Sequence, residues 1–410
     1  MLGILVPEFP LQTHIFFWRE MVALKQMGVE VAMLSTRRPP EGACRHEFAA
    51  EARRETHYVY PPSLADALRV LALRPAATAR ALAYLAGLKE SSLKQRARGL
   101  GLLLCAADLL AECRRRDIQH VHVHSCADAA HVAALCRILG GPSYSLTLHG
   151  DLPVYGVDHA SKMARASCIS CDGPHLKEQI VNQVGYPAEK VLPNWMGLDT
   201  HQFSPAARSN GQPGQLQLAT VARLDACKGH RFAITAVRKA IDEGCDVRYT
   251  LAGEGPERQN IERLIAQLQL GDRVKLLGTR GETEVLELLR RSDAFVLSSI
   301  GMGEAGPISL MEAMSCGLPA VCSIIGATPK MLDDGVEGFL IPQGDEAKLT
   351  QAFARLARDP ALRQSLGAAA RRRAVANFDS AATTRRLLEF IQLHTGLTFA
   401  DAAGSSGVKA

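Results

Sequence analysis

The sequence predicts an α/β protein made of two doubly wound parallel sheets. Three observations point there. At 410 residues the chain exceeds one ordinary core, so two domains of about 200 residues each are expected. Short β-branched runs alternate with longer helical patterns, as in parallel layered sheets. A stretch rich in Pro, Gly, Asn and Gln then divides those runs into two sets.

In the first domain, residues 1–192, the expected strands are LGILV, VEVAMLS, HYVY, HVHVH, YSLTLH and CISC. Between the third and fourth, residues 64–116 show no strand signal and hold ten Lys/Arg against four Asp/Glu. They read as two or three basic amphipathic helices, with two uses open. Either they cover the first sheet with a solvated basic face, or that face meets anionic lipid. The linker is placed at 193–215. The second domain, 216–379, offers LQLATVA, VRYTLAG, VKLLG, AFVLSS, PAVCS and GFLI. A helix over 380–397 is expected to cross back over the seam, and 398–410 is small, polar and expected to fray.

Composition excludes several classes. A net charge of +5 is too mild for a dedicated nucleic-acid binder, so no nucleic-acid partner is expected. The start lacks a basic n-region and its apolar run breaks at Pro7 and Glu8, unlike a signal peptide. No uncharged apolar run reaches about 18 residues, the length of a membrane-spanning helix. Eleven scattered cysteines fit reduced thiols and a cytoplasmic location, and Cys168 to Cys171 reads as strand rather than zinc or redox motif. His120, His122 and His124 alternate along a strand and share a face. That spacing invites a metal, but no carboxylate or Cys partner is evident, and a packed sheet edge is expected.

The informative stretch is GMGEAGPISLMEAMSCGLP, 301–319. Its glycines spell G-x-G-x-x-G, but a dinucleotide loop belongs in the first βα turn with an acidic residue about 20 positions later. Here it follows the fourth strand of its domain, and SIIGATPK lies where the carboxylate should be. Pro307 suits the first helical position. Gly306 with the amides of Ile308 and Ser309 then opens a helix, and such an end attracts phosphate. Glu312 sits in an apolar helix face, where ribose hydroxyls or a salt bridge would satisfy it. Glu304, ahead of the helix, would reach a second polyol or is merely exposed. Arg223 and Lys228 flank the turn after LQLATVA, at the strand edge where α/β ligands bind, and would supply cations for a diphosphate.

These residues resemble the donor-site signature of family 4 retaining glycosyltransferases of the GT-B fold, among them bacterial exopolysaccharide and lipopolysaccharide enzymes. The resemblance runs through EAGPISLMEAMSCGLP, GATP, DDGVEGFLI, VARLDACKG, LAGEGPERQNIERLI, NWMGLDTHQFSP and LTLHGD. The first half matches more loosely, with PEFPLQTHIFFWREM replacing a Gly-rich first loop. The resemblance implies two Rossmann-like domains facing across a cleft. It implies that Glu312 holds the donor ribose, Glu304 touches the transferred sugar, and Arg223 and Lys228 neutralise the departing diphosphate. Gly306, Pro307, Ile308 and Ser309 would line the sugar and phosphate, Arg280 would join the donor-binding set, and His149 would face the sugar. Taken alone, a strand-end His is more often structural.

The expected activity is transfer of a hexose, with retention, from a UDP- or GDP-linked sugar to a saccharide acceptor, lipid-linked at the inner membrane face. No cofactor or metal is expected, and the chain has no D-x-D with which to hold a divalent ion. Two other readings stay open: a GT-B-like nucleotide-sugar epimerase, and a non-catalytic sugar-nucleotide-binding subunit at the membrane.

Overall fold

The structure is a computed structural model describing residues 1–206, 214–301 and 304–399. The chain divides into two compact units. One is Met1–Gly197 together with the segment from Ser380; the other is Leu198–Asp379.

The first unit holds a parallel sheet of β1 (Leu2–Glu8), β2 (Val31–Arg37), β3 (His57–Tyr58), β4 (His120–Val123), β5 (Ser143–Leu148), β6 (Ile169–Cys171) and β7 (Val191–Pro193), in the order β3-β2-β1-β4-β5-β6-β7. β7 is missed by sequence reading, because three residues ending in proline carry too little pattern to separate from a loop. β4 is central, so its histidines do not lie at a sheet edge as expected. Leu2, Ile4 and Val6 of β1 pack with Phe17, Met21 and Leu24 of the helix Ile15–Gln26. Leu387 and Ile391 of the helix Ser380–Thr395 join the same core, which is why that helix belongs to this unit. Phe399 is buried there too, so the expected tail begins packed; residues 400–410 lie outside the described residues.

Residues 64–116 form the helices Leu64–Ala72, Pro75–Ala86 and Leu93–Arg115. Ser92 and Gln95 close a capping box at the start of the third, satisfying two otherwise orphaned amides. Among the described residues no helix is long and apolar enough to cross a membrane.

The second unit holds β8 (Gln215–Val221), β9 (Asp246–Ala252), β10 (Val274–Gly278), β11 (Ala294–Leu297), β12 (Ala320–Ser323) and β13 (Gly338–Ile341), ordered β10-β9-β8-β11-β12-β13. Order reverses direction between β8 and β11, the position where open α/β sheets bind ligands beyond their carboxyl ends.

The stretch expected as a linker, 193–215, is fixed where it is described. Asn194 donates through Nδ2 to Thr383 O at 3.0 Å in the first unit. From Leu198 the chain is tied into the second: Leu198 N donates to Phe378 O at 2.9 Å, and Arg371 Nη1 to Thr200 O and Phe203 O at 2.8 and 2.9 Å. The chain therefore passes between units at Gly197–Leu198; residues 207–213 lie outside the described residues.

Candidate active site

Adjacent strands β8 and β11 bring their following turns together. The turn after β8 runs from Arg223 to Gly229, with a short 3₁₀ turn at Ala226–Lys228 before the helix His230–Asp242. Gly229 adopts φ +61°, and a Cβ there would stand 2.1 Å from Ser298 O, so only glycine lets this turn lie on the end of β11. Ser298 Oγ donates to Gly229 O at 3.1 Å and Ile300 N to Cys227 O at 2.7 Å, locking the two turns.

This brings Lys228 Nζ into an ion pair with Glu304 Oε1. Ser299 Oγ donates to the same carboxylate oxygen at 2.5 Å. Glu304 is 5 % exposed, so it is not merely a surface residue. Its backbone carbonyl accepts from Ala327 N at 2.8 Å, which ties it to the turn after β12. Arg223 points elsewhere: its Nη1 lies 2.9 Å from Asp225 Oδ2 and the side chain is largely exposed. Ser299 and Asp225 were not singled out from the sequence; the hydroxyl pair ending AFVLSS and the acidic residue between two cations were the available signals.

The helix after Glu304 is Ile308–Ser315, with Pro307 at its N-cap at ψ 107°. Proline thus precedes the first helical position rather than filling it, and Ile308 and Ser309 contribute the first amides ahead of the i→i−4 ladder. Gly306 is half-buried at its mouth and Glu312 is buried on its inner face. Of the glycine motif, Met302 and Gly303 lie outside the described residues. Arg280, after β10, pairs with Glu284 at 3.1 Å. It lines a cavity of about 450 Å³ with Gln217, Thr250, Lys275 and Glu287, a set that shares no member with the Lys228–Glu304 turns.

His149 belongs to the first unit, at the carboxyl end of β5. Its Nδ1 lies 3.0 Å from Asp172 Oδ2 and its Nε2 3.0 Å from His124 Nδ1. His124 Nε2 lies in turn 2.9 Å from Glu20 Oε1. The rings of Phe16 and Phe17 approach His149 at 5.0 and 5.8 Å between centroids. His120 and His122 face hydroxyls of β5: His120 meets Ser143 and Ser145 at 2.8 Å each, and His122 meets Ser145 and Thr147 at 2.7 and 2.8 Å. Burial lowers the His120 pKa to about 3 and holds that of His122 well below the usual histidine value.

The carboxylate partner not evident in the sequence is therefore present. Glu20, His122 and His124 offer ligand atoms within 4.8 Å of one another. Both nitrogens of His122 already meet hydroxyls, and both of His124 meet His149 and Glu20. Cys168 and Cys171 are buried free thiols at β6, and burial raises both pKa values, that of Cys168 to about 12.

Comparison with known proteins places these turns in context. Residues 206–373 match the family model for glycosyl transferases, group 1. The chain is 28% identical to WcaL of Salmonella typhimurium, a protein named for glycosyl transfer in colanic acid biosynthesis, over 94% of this chain and 98% of that one. It is 34% identical to the amylovoran biosynthesis glycosyltransferase AmsK of Erwinia amylovora, over 51% of this chain and 52% of AmsK. Among solved structures, HepE of Anabaena in complex with UDP superposes with a TM-score of 0.72 at 16% identity, covering 96% of this chain and 100% of HepE. With two doubly wound units of this kind the chain has the GT-B fold, and its second unit, which carries the Arg223–Lys228 and Glu304 turns, matches the group 1 glycosyl transferase model.

Proposed function

We propose that the protein is a retaining hexosyltransferase, independent of metal, that moves a sugar from a UDP- or GDP-linked donor to a hydroxyl of a lipid-linked saccharide in cell-surface polysaccharide assembly. The observation that carries the reading is the pair of half-buried Lys228 with buried Glu304 at the carboxyl edge of β8 and β11, followed by the N-terminus of the helix Ile308–Ser315. A cation, a carboxylate and unladdered amides at one strand edge suit a sugar diphosphate: the carboxylate accepts from sugar hydroxyls, and the cation and amides take the phosphate charge.

As the bond from the anomeric carbon to the leaving phosphate breaks, negative charge grows on the diphosphate. Lys228, Arg223 and the helix amides would stabilise it by electrostatic preorganisation, which is the work a divalent ion does elsewhere. Retention then follows from attack on the same face, with a leaving phosphate oxygen accepting the acceptor's proton. Glu312 would hold the ribose, Gly306 and Pro307 would line the sugar, and Arg280 would reach the donor only by leaving Glu284. The names of WcaL and AmsK support the polysaccharide setting, and the UDP held by HepE supports a nucleotide donor.

The test is thermal unfolding with UDP-, GDP- and ADP-sugars. A true donor at about 100 times its Kd stabilises by about 2.7 kcal/mol. A rise in unfolding temperature with one nucleotide class, followed by NMR of the product's anomeric configuration, is expected. No response to any of them would overturn the reading.

A further inference from the structure

Four buried or half-buried groups stand in a row in the first unit. Three contacts join them: Glu20 Oε1 to His124 Nε2 at 2.9 Å, His124 Nδ1 to His149 Nε2 at 3.0 Å, and His149 Nδ1 to Asp172 Oδ2 at 3.0 Å. Each contact is a hydrogen bond only if one proton lies in it. Two neutral imidazoles bring two N–H groups, and two ionised carboxylates bring none. With both rings neutral, one contact would set two lone pairs face to face in the interior, where no water offsets the repulsion.

We propose that Glu20, His124 and Asp172 are positioning residues that lock the His149 ring through a shared third proton, so that the two rings together carry one positive charge between two carboxylates.

A second observation bears on the same count. Asp172 is fully buried, and its Oδ1 has no hydrogen-bond partner. Its other oxygen faces His149, so an ionised Asp172 depends on a cation there; a lone buried carboxylate would be strongly disfavoured. The groups facing the row leave the proton on it. The His122 ring stands 4.7 Å from that of His124, and burial first, then the neighbouring imidazole charges, holds it neutral. His14 binds Glu8 O through Nδ1 at 2.7 Å, and burial first, with the charge of His149 adding to it, lowers its pKa. His175, facing Asp172 from the helix Pro174–Gln179, is lowered by burial. The Tyr155 hydroxyl, which meets the His149 amide at 2.6 Å, is raised by burial and stays neutral.

It follows that neither ring nitrogen of His149 is open to a substrate. The ring acts through its place and charge at the carboxyl edge of the first sheet, not by taking or giving a proton. Only that consequence rests on the transferase reading; the proton count does not.

Imidazole-nitrogen NMR of the full histidine-labelled chain at neutral pH tests the proposal, comparing wild type with Asp172→Asn and Glu20→Gln. In either variant the new amide can donate to the ring facing it, so two neutral rings satisfy all three contacts. The wild type is expected to show one imidazolium shared by His124 and His149, identified by its loss in His124→Gln and His149→Gln, and both amide variants to show neutral rings only. Two neutral rings in the wild type, or an imidazolium persisting in both amide variants, would overturn it. Should Asp172→Asn not fold, Glu20→Gln, at the more exposed end, carries the comparison. Failure of the transferase reading would appear in the nucleotide-sugar unfolding experiment and leave these spectra unchanged.

Discussion

Lys228 and Glu304 are 76 residues apart in sequence and share an ion pair with little solvent around it. Removing one partner from such a pair strands the other charge, at about 3–5 kcal/mol, whereas replacing both with neutral groups of similar size is often close to neutral. Lys228→Ala and Glu304→Ala should therefore each unfold at lower urea and lose about 10²–10³-fold in turnover, the usual cost of a transition-state charge partner. The double variant Lys228→Met/Glu304→Gln should regain most of the stability and none of the turnover. Near-normal transfer by either alanine variant would remove both residues from the site. Arg223 differs in kind. Its exposed pair with Asp225 contributes at most about 1 kcal/mol, so Arg223→Ala should cost activity with almost no stability. The cations and both glutamates were legible in the sequence as residue types at a strand edge and a helix mouth. That Glu304 is buried against Lys228 and Ser299 was not, because the contact depends on β8 and β11 being neighbours.

Among the elements, the turn after β12 shows how closely the site is built. Gly326 adopts φ +51°, and a Cβ there would meet Glu304 O at 2.1 Å. Ala327 N donates to that same carbonyl, so the backbone carrying Glu304 rests directly on the GATP turn. Gly326→Ala should destabilise by about 2 kcal/mol or more, from overpacking and left-handed backbone strain, and should displace Glu304. Urea unfolding with transfer rates checks this; a variant as stable and active as wild type would show that the contact yields. The strand HVHVH teaches the opposite lesson. Its period predicts one face, and that face is real, but the hydroxyl ladder of Ser143, Ser145 and Thr147 that receives it sits 23 to 25 residues on, in a strand whose hydroxyls the sequence reading did not single out. β7 went unread for lack of length, and Pro307 moved by one position because helix ends are decided by local ψ rather than by residue type alone.

At the scale of the molecule, each unit has its own apolar core, and the three helices of 64–116 add a feature that neither core explains. Leu64, Leu68, Leu73, Leu82, Leu93 and Leu100 are exposed on them, beside the exposed Arg69, Arg80, Lys89, Lys94 and Arg98. Exposed leucine with basic neighbours suits the interface of an anionic bilayer, where apolar burial and charge attraction add. The full chain should float with phosphatidylglycerol-containing vesicles at moderate salt and far less with neutral ones. Changing Leu68, Leu82 and Leu93 to Ser should reduce flotation without lowering the unfolding temperature, since these side chains bury little. Absence of flotation with either lipid would return the surface to ordinary solvated helix.

The sequence by itself determined the α/β layering, the strands long enough to show a period, and the residue types that a sugar-diphosphate site needs. Those are local properties: period, propensity and composition are written over a few consecutive positions. What only the tertiary structure decided is which distant residues meet. Strand order set Lys228 against Glu304, gathered Glu20, His124, His149 and Asp172 into one row, and drew the helix Ser380–Thr395 into the first unit. Each is a contact between positions far apart along the chain, selected by burial and by the requirement that buried charges find partners, and no local pattern encodes that selection.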